Sequence, residues 1–155
     1  MKKAILLVSI LFLSVISTAC INNFAVQELN SKAQEFMAKG DYQAAIERLK
    51  SSIDLDDSIF ETHYNLAVAY TNAEDYLNAI DSYKNAININ SDKAETYYSL
   101  AVAQGNLIVD LNSGNIQLDD NGEFVKAEDV DFEEYKPSDE IIQKISELKE
   151  EQINN

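Results

Sequence analysis

The chain has 155 residues, 12 Lys+Arg against 27 Asp+Glu, and a formal net charge of −15. Such a surface repels phosphate backbones and excludes nucleic-acid binding through a basic face, while a hydrophobic share of 46% is too high for a disordered acidic tail. Four Gly, one Pro, one Cys and no Trp exclude collagen, disulfide-scaffold and cysteine-based zinc folds.

The N-terminus comes first. Lys2 and Lys3 precede an almost wholly apolar run, Ala4 to Ile16, and the small residues Ser17, Thr18 and Ala19 lead into Cys20. This is the layout of a secretory signal peptide, and the run is shorter than the ~20 residues a membrane-spanning helix needs. A lone cysteine directly after the small-residue stretch resembles the lipobox of bacterial lipoproteins, with Ser17 standing where an aliphatic residue is commoner. The resemblance implies that the Cys20 thiol is acylated, palmitate being one such group, and that cleavage makes Cys20 the first residue. It divides the start of the chain into a leader, 1–19, and a lipid-anchored linker, 20–25. The mature chain then carries 10 basic against 27 acidic residues, or −17. The location it implies is a bacterial membrane, lipid-anchored and extracytoplasmic, at the periplasmic face or the cell surface. Two or more acyl chains suffice for a stable anchor.

The middle of the chain repeats itself. The offset that carries Glu61 onto Glu95 lays Glu61–Ala69 over Glu95–Ala103 with seven of nine positions identical. The same offset lays Asp41, Tyr42, Ala45 and Ile46 over Asp75, Tyr76, Ala79 and Ile80. It also pairs Ile53 with Ile87 and Leu55 with Ile89. The period, about 34 residues, and the residues Leu66, Ala67, Tyr70, Ala79, Tyr83 and Ala86 resemble the tetratricopeptide repeat (TPR), a helix–turn–helix unit. Gly40-Asp41-Tyr42 and Glu74-Asp75-Tyr76 stand at the inter-helix turns. Ala33, Ala45, Ala67, Ala79, Ala86 and Ala101 allow close helix approach, and Phe36, Leu49, Leu66, Tyr70, Tyr83 and Leu100 fill the space between. The resemblance covers 26–105. It departs at Lys32, where a large apolar residue is usual, at Asp57 and Ser91, where proline is usual, and after Gln104, where the third unit has no turn motif.

Predicted helices span about 24–38, 42–55, 59–72, 76–89 and 93–110. Ser58 with Glu61, and Asp92 with Glu95, have the spacing of capping boxes. Residues 106–136 form an acidic insertion of nine acids and two lysines. Within it Ile116, Leu118 and Phe124 alternate around Asp120-Asn121-Gly122, the pattern of a small hairpin with an Asn-Gly turn or of a partly ordered loop. Pro137-Ser138-Asp139-Glu140 opens a further helix over about 138–153, with a stripe of Ile141, Ile142, Ile145 and Leu148. About three units are normally needed to bury a continuous core, so the segment 137–155 is assigned the role of missing second helix or cap. The fold expected is all-α: a short TPR-type solenoid of about two and a half repeats with an acidic insertion and a C-terminal capping helix.

Chemistry-bearing residues are few. His63 is the lone histidine, has no second histidine with which to share a metal, and stands at a packing position that Tyr97 takes one unit later. Gly40, Gly105, Gly114 and Gly122 are dispersed and build no phosphate loop. Asp119, Asn121, Gly122 and Glu128 have the spacing of an EF-hand-like calcium loop, but Gln117 takes the opening aspartate position and strand precedes it. A solvated acidic hairpin is the competing reading. No catalytic residue, metal or cofactor is expected.

The TPR resemblance implies a peptide groove on the first-helix face. By register it holds Tyr64, Asn65, Val68 and Asn72 in one unit, Tyr98, Ser99 and Val102 in the next, and Asn30, Ser31 and Gln34 in the first. An asparagine at the Asn65 position in such grooves often bonds a ligand's backbone. No Lys or Arg reaches this face, so a neutral or basic peptide or helix fits it. The function expected is a membrane-anchored protein–protein interaction adaptor in the bacterial cell envelope. Its partner is another envelope protein or peptide, its membrane contact is Cys20, and its oligomeric state is open. The competing readings are a structural subunit of a larger envelope assembly and a calcium-binding surface lipoprotein.

Overall fold

The computed structural model describes residues 23–119, 121–127 and 136–154. The leader 1–19, Cys20 and Glu128 lie outside the described residues. The described residues form six helices and one hairpin, in the order α1 (23–38), α2 (Tyr42–Leu55), α3 (Phe60–Asn72), α4 (Tyr76–Ile89), α5 (Ala94–Ser113), β1 (Ile116–Leu118), β2 (Phe124–Lys126) and α6 (Asp139–Asn154). The helical periodicity of the sequence therefore translates into helices almost residue for residue. Helix α1 is already formed at 23, inside the segment assigned to a linker. Helix α5 runs to Ser113, because nothing after Gln104 stops it until Gly114 adopts a left-handed conformation (φ 83°).

Each intra-unit turn closes by the same hydrogen bonds. After α1, Asp41 N–H donates to Phe36 O (3.0 Å) and Gly40 N–H to Met37 O (3.0 Å). After α3, Asp75 N–H donates to Tyr70 O (2.9 Å) and Glu74 N–H to Thr71 O (3.2 Å). This pattern requires a left-handed residue at its centre. Gly40 supplies it at φ 77°, whereas Glu74 adopts φ 58° with a full side chain. The following aspartate then caps the second helix: Asp41 Oδ1 accepts from Ala44 N–H (3.2 Å) and Asp75 Oδ1 from Asn78 N–H (3.3 Å).

The predicted capping boxes do not form. Helices α3 and α5 begin after Ile59 and Lys93, neither with a side-chain cap. Ser58 instead directs both its N–H (3.0 Å) and its hydroxyl (2.6 Å) to Asp56 Oδ1, and Asp92 N–H donates to Asn90 Oδ1 (3.0 Å). A local turn on the preceding Asx side chain outcompetes the cap, and it recurs from one unit to the next.

The apolar residues separate into two clusters. The first gathers Ala33, Ala45, Ile46, Leu49, Leu66 and Ala69. The second gathers Ala67, Ala79, Ile80, Tyr83, Leu100, Ala103, Leu107 and residues of the C-terminal elements. Tyr70 packs against both and joins them. Ala101 is only half-buried, unlike its counterpart Ala67. Gln104 takes the register of Phe36 and Tyr70, is fully buried, and has no hydrogen-bond partner on either amide atom.

The hairpin and α6 close the end of the second cluster. Strands β1 and β2 pair antiparallel with Leu118 opposite Phe124, and Ile116 enters the core. The turn is wider than the expected two-residue Asn-Gly turn. Asp119 N–H donates to Glu123 O and Gly122 N–H to Asp119 O, both at 2.9 Å, and of the Asn121-Gly122 pair Gly122 has positive φ (77°) and Asn121 does not. A two-residue type I′ turn would require positive φ at both of its central residues. Helix α6 starts on Ser138, whose Oγ accepts Ile141 N–H (3.3 Å). Ile141 and Ile145 are buried and Leu148 packs against them, but Ile142 is 54% exposed and is not part of the buried stripe. It lies ~100° around the helix from Ile141. Gln152 Nε2 donates to Ala101 O (2.7 Å), and Lys84 pairs with Glu151 (2.6 Å), fastening α6 to α5 and α4.

Replacing Glu74 by Gly removes the left-handed strain and is expected to raise stability by about 0.5–1 kcal/mol after the added chain entropy. Gly40→Glu is expected to lower it by a similar amount. Urea unfolding of the two variants checks the opposite signs.

Candidate functional site: an amide-lined depression between α1 and α3

The repeat places Gln27, Glu61 and Glu95 in one register, Asn30, Tyr64 and Tyr98 in a second, and Ser31, Asn65 and Ser99 in a third. Although Glu61 recurs as Glu95 and Tyr64 as Tyr98, the structure splits the ten groove candidates.

Between α1 and α3 lies a depression of about 380 Å³. Five carboxamides line it, Asn23, Gln27, Asn30, Gln34 and Asn65, together with the carboxylate of Glu61, over Val26 and Ile59. Three of these, Asn30, Gln34 and Asn65, were candidates from the sequence. Asn23 and Gln27 are not among them, Asn23 because it falls in the segment 20–25 read as a linker. The register shared with Glu61 would have exposed Gln27. Carboxamides carry donor and acceptor side by side, so a row of them matches the alternating N–H and C=O of an extended main chain. The depression holds one acid and no base.

Asn30 is more than a lining residue. Its Nδ2 donates to Val26 O (3.0 Å), to Ser52 Oγ (2.8 Å) and to Thr62 Oγ1 (3.0 Å). Ser52 and Thr62 are fully buried, so this amide ties α1 to both α2 and α3. The assignment of Asn30 to an open ligand face is therefore corrected: its donors are already consumed, and only its enclosed Oδ1 lacks a partner. Tyr64 is likewise committed to packing. Its ring stacks on Phe60 (5.9 Å, 16°), meets Tyr83 edge-on (5.9 Å, 63°), and its hydroxyl donates to Glu95 Oε1 (2.8 Å). Burial pushes the Tyr64 hydroxyl above the usual tyrosine value, the Glu95 carboxylate adds to that, and the Ser99 hydroxyl opposes it. Val68 packs against the second cluster, and Asn72 Nδ2 turns back to Val68 O (2.8 Å). Ser31 is exposed.

Tyr98 and Val102 lie elsewhere. They are 74% and 42% exposed on the outer face of α5, where no described element covers them. His63 is buried, and its Nε2 lies 2.8 Å from Asp57 O, so it anchors the α2–α3 link as a packing residue. In the hairpin, Asp119 Oδ1 accepts from the N–H groups of Asn121 and Glu123, both at 2.9 Å. These donors hold the Asp119 carboxyl below its ordinary value. The carboxylate thus closes its own turn, and among the described residues no three His, Cys, Asp or Glu side chains converge as a metal site would require.

Comparison with known proteins agrees with this geometry. A family model described as TPR repeat matches twice, over residues 33–73 and 69–107. Among solved structures, the second TPR domain of Spaghetti (RPAP3) bound to the HSP90 peptide SRMEEVD superposes with a TM-score of 0.53 at 20% identity, covering 56% of this chain and 82% of that one. The Sgt2 TPR domain from Aspergillus fumigatus gives 0.51 at 16% identity, covering 83% and 81%. The second TPR domain of human RPAP3 in complex with the HSP70 peptide SGPTIEEVD gives 0.55 at 17% identity, covering 83% and 98%. No curated protein sequence matches the chain. The fold is thus an all-α, TPR-type helical solenoid.

Two outcomes test this description. Asn30→Ala strands two buried hydroxyls and is expected to cost about 2 kcal/mol, whereas Gln34→Ala stays within about 0.5 kcal/mol; thermal unfolding compares them. Asp119 has a folded pKa below its unfolded one, so its contribution to the hairpin is complete above the ordinary value of 3.8 and fades as pH falls below it. Amide exchange at Asn121 and Glu123 is expected to be flat from neutral pH down to that value once corrected for intrinsic rates, then to rise; Asp119→Asn removes the dependence.

Proposed function

We propose that this chain is a lipid-anchored recognition module of the bacterial cell envelope that captures a segment of another envelope protein and catalyses no reaction. The single observation that carries the recognition reading is the depression between α1 and α3, where five carboxamides stand together over an apolar floor. The amide groups of Gln34 and Asn65, with those that Asn23 and Gln27 do not spend on their mutual hydrogen bond, suit a peptide main chain, while Asn30 serves to hold the helices together; Glu61 with the overall charge of −15 favours a neutral or basic segment. The RPAP3 domains bind chaperone peptides ending in EEVD. The depression has no Lys or Arg to receive such acids, so the same scaffold here selects a different ligand.

The anchoring part rests on the sequence: a short basic start, an apolar run, small residues and the chain's one cysteine, Cys20. No helix among the described residues is long and apolar enough to cross a membrane. Acylated Cys20 would hold the solenoid close to a bilayer, with α1 already formed at Asn23, a few positions after it.

A photo-crosslinking residue at Gln34 or Asn65 of the full chain, activated in intact cells, is expected to capture the same partner from both positions. The double variant Gln34→Ala, Asn65→Ala is expected to lower that capture about tenfold with helicity unchanged. Undiminished capture overturns the groove reading. Metabolic labelling with palmitate, absent in Cys20→Ser, tests the anchor separately.

A further inference from the structure

The α3–α4 turn and the hairpin enclose a trough that the repeats by themselves do not build, and none of the ten groove candidates lines it. Its larger part, about 360 Å³, is walled by Tyr76 and Leu77 from α4, Ile116 and Phe124 from the hairpin, and Ile46 from α2. Its smaller part, about 230 Å³, holds the polar side chains of Asp110 and Asn115. Glu74, Ile116 and Lys126 line both parts and mark where they adjoin. The trough thus offers an apolar compartment beside a polar one, within the size range of small-molecule sites.

Two opposite charges stand where the parts adjoin, and they do not pair. Among the described residues neither the Glu74 carboxylate nor the Lys126 ammonium has a hydrogen bond or an ion pair. The neighbouring acids are engaged. Asp75 caps α4, its Oδ1 accepting from Asn78 N–H (3.3 Å) and its Oδ2 from Asn78 Nδ2 (2.7 Å), and Asp110 Oδ1 accepts from Asn115 Nδ2 (3.0 Å). Burial pushes the Tyr76 hydroxyl above the usual tyrosine value, and the Glu74 and Asp110 carboxylates add to that, so both acids act on one point of the wall. Glu74 is also the residue held at φ 58° where the first unit has Gly40. Strain of this kind gathers at ligand sites. A ligand that answers these features carries both charges and an apolar body. Its ammonium meets Glu74 and Asp110, its carboxylate meets Lys126, and its body lies against Tyr76, Leu77 and Phe124. A simple amine would face Lys126, and a simple carboxylate would face the acids. We infer that this trough binds a free α-amino acid with a large apolar side chain, as its zwitterion. The site is separate from the amide-lined depression and does not depend on the anchored-module reading.

The test is calorimetric titration of the full chain with L-phenylalanine and three truncated probes. Phenethylamine lacks the carboxylate, hydrocinnamate lacks the ammonium, and glycine lacks the apolar body. Glu74 and Lys126 reach solvent, so each charge is expected to be worth about fivefold in affinity at low salt. Phenylalanine is therefore expected to bind about fivefold or more tighter than each probe. Lys126→Ala is expected to weaken phenylalanine about fivefold and to leave phenethylamine no weaker. Glu74→Gly is expected to weaken phenylalanine by a similar factor while unfolding at a higher urea concentration, which separates lost binding from a lost fold. Gln34→Ala with Asn65→Ala is expected to leave this binding unchanged, so the depression and the trough are tested apart. No saturable heat at millimolar phenylalanine, equal binding of phenylalanine and phenethylamine, or affinity insensitive to both Lys126→Ala and Glu74→Gly overturns the inference.

Discussion

Close approach over alanine is the constraint on which the solenoid depends. Ala33, Ala45, Ala67, Ala79 and Ala103 have no exposed surface, and each belongs to one of the two apolar clusters packed between the helices. A methyl group at these points lets the backbones close until Leu49, Leu66, Tyr83 and Leu100 fill the remaining volume. A larger side chain would wedge the helices apart and open the space that those residues occupy. The two clusters, joined at Tyr70, are therefore one continuous core drawn along the stack.

Once that seam is repeated in each unit, the positions around it become free to differ. The register of Asn30, Tyr64 and Tyr98 shows the range. The first ties three helices together through one carboxamide, the second stacks between neighbours, and the third faces outward at the end of the stack. Phe36, Tyr70 and Gln104 show the same drift within the core. The buried, unpartnered amide of Gln104 marks the point where the repeat gives way to the hairpin and α6. An unsatisfied group of that kind costs about 1–3 kcal/mol, which the apolar surface covered by Ile116, Ile141 and Ile145 offsets.

Helix identity and order were legible because the apolar period and the repeat offset are properties of the chain itself. So were the hairpin, from alternation around Gly122, and the capping role of α6, from Ile141, Ile145 and Leu148. The candidate site was legible only in part. The sequence places Gln34 and Asn65 on a first-helix face, and the structure brings them to one depression with Asn23 and Gln27. It also removes Asn30 and Tyr64 from the open face, because the partners that consume them are Ser52, Thr62, Phe60, Tyr83 and Glu95, on neighbouring turns and helices. Most of those partners sit on other helices, as Thr62 does for Asn30 and Glu95 for Tyr64, beyond the reach of local periodicity.

By itself the sequence determined the repeat, the helices and the composition of each face, since these follow from residue spacing at a fixed period. It also carries the Cys20 layout whole. The tertiary structure alone decided which side chains remain available: which amides are already bonded and which tyrosines are enclosed. Availability is set by neighbours distant in the chain, and hydrogen bonds and burial are settled only when those neighbours are in place.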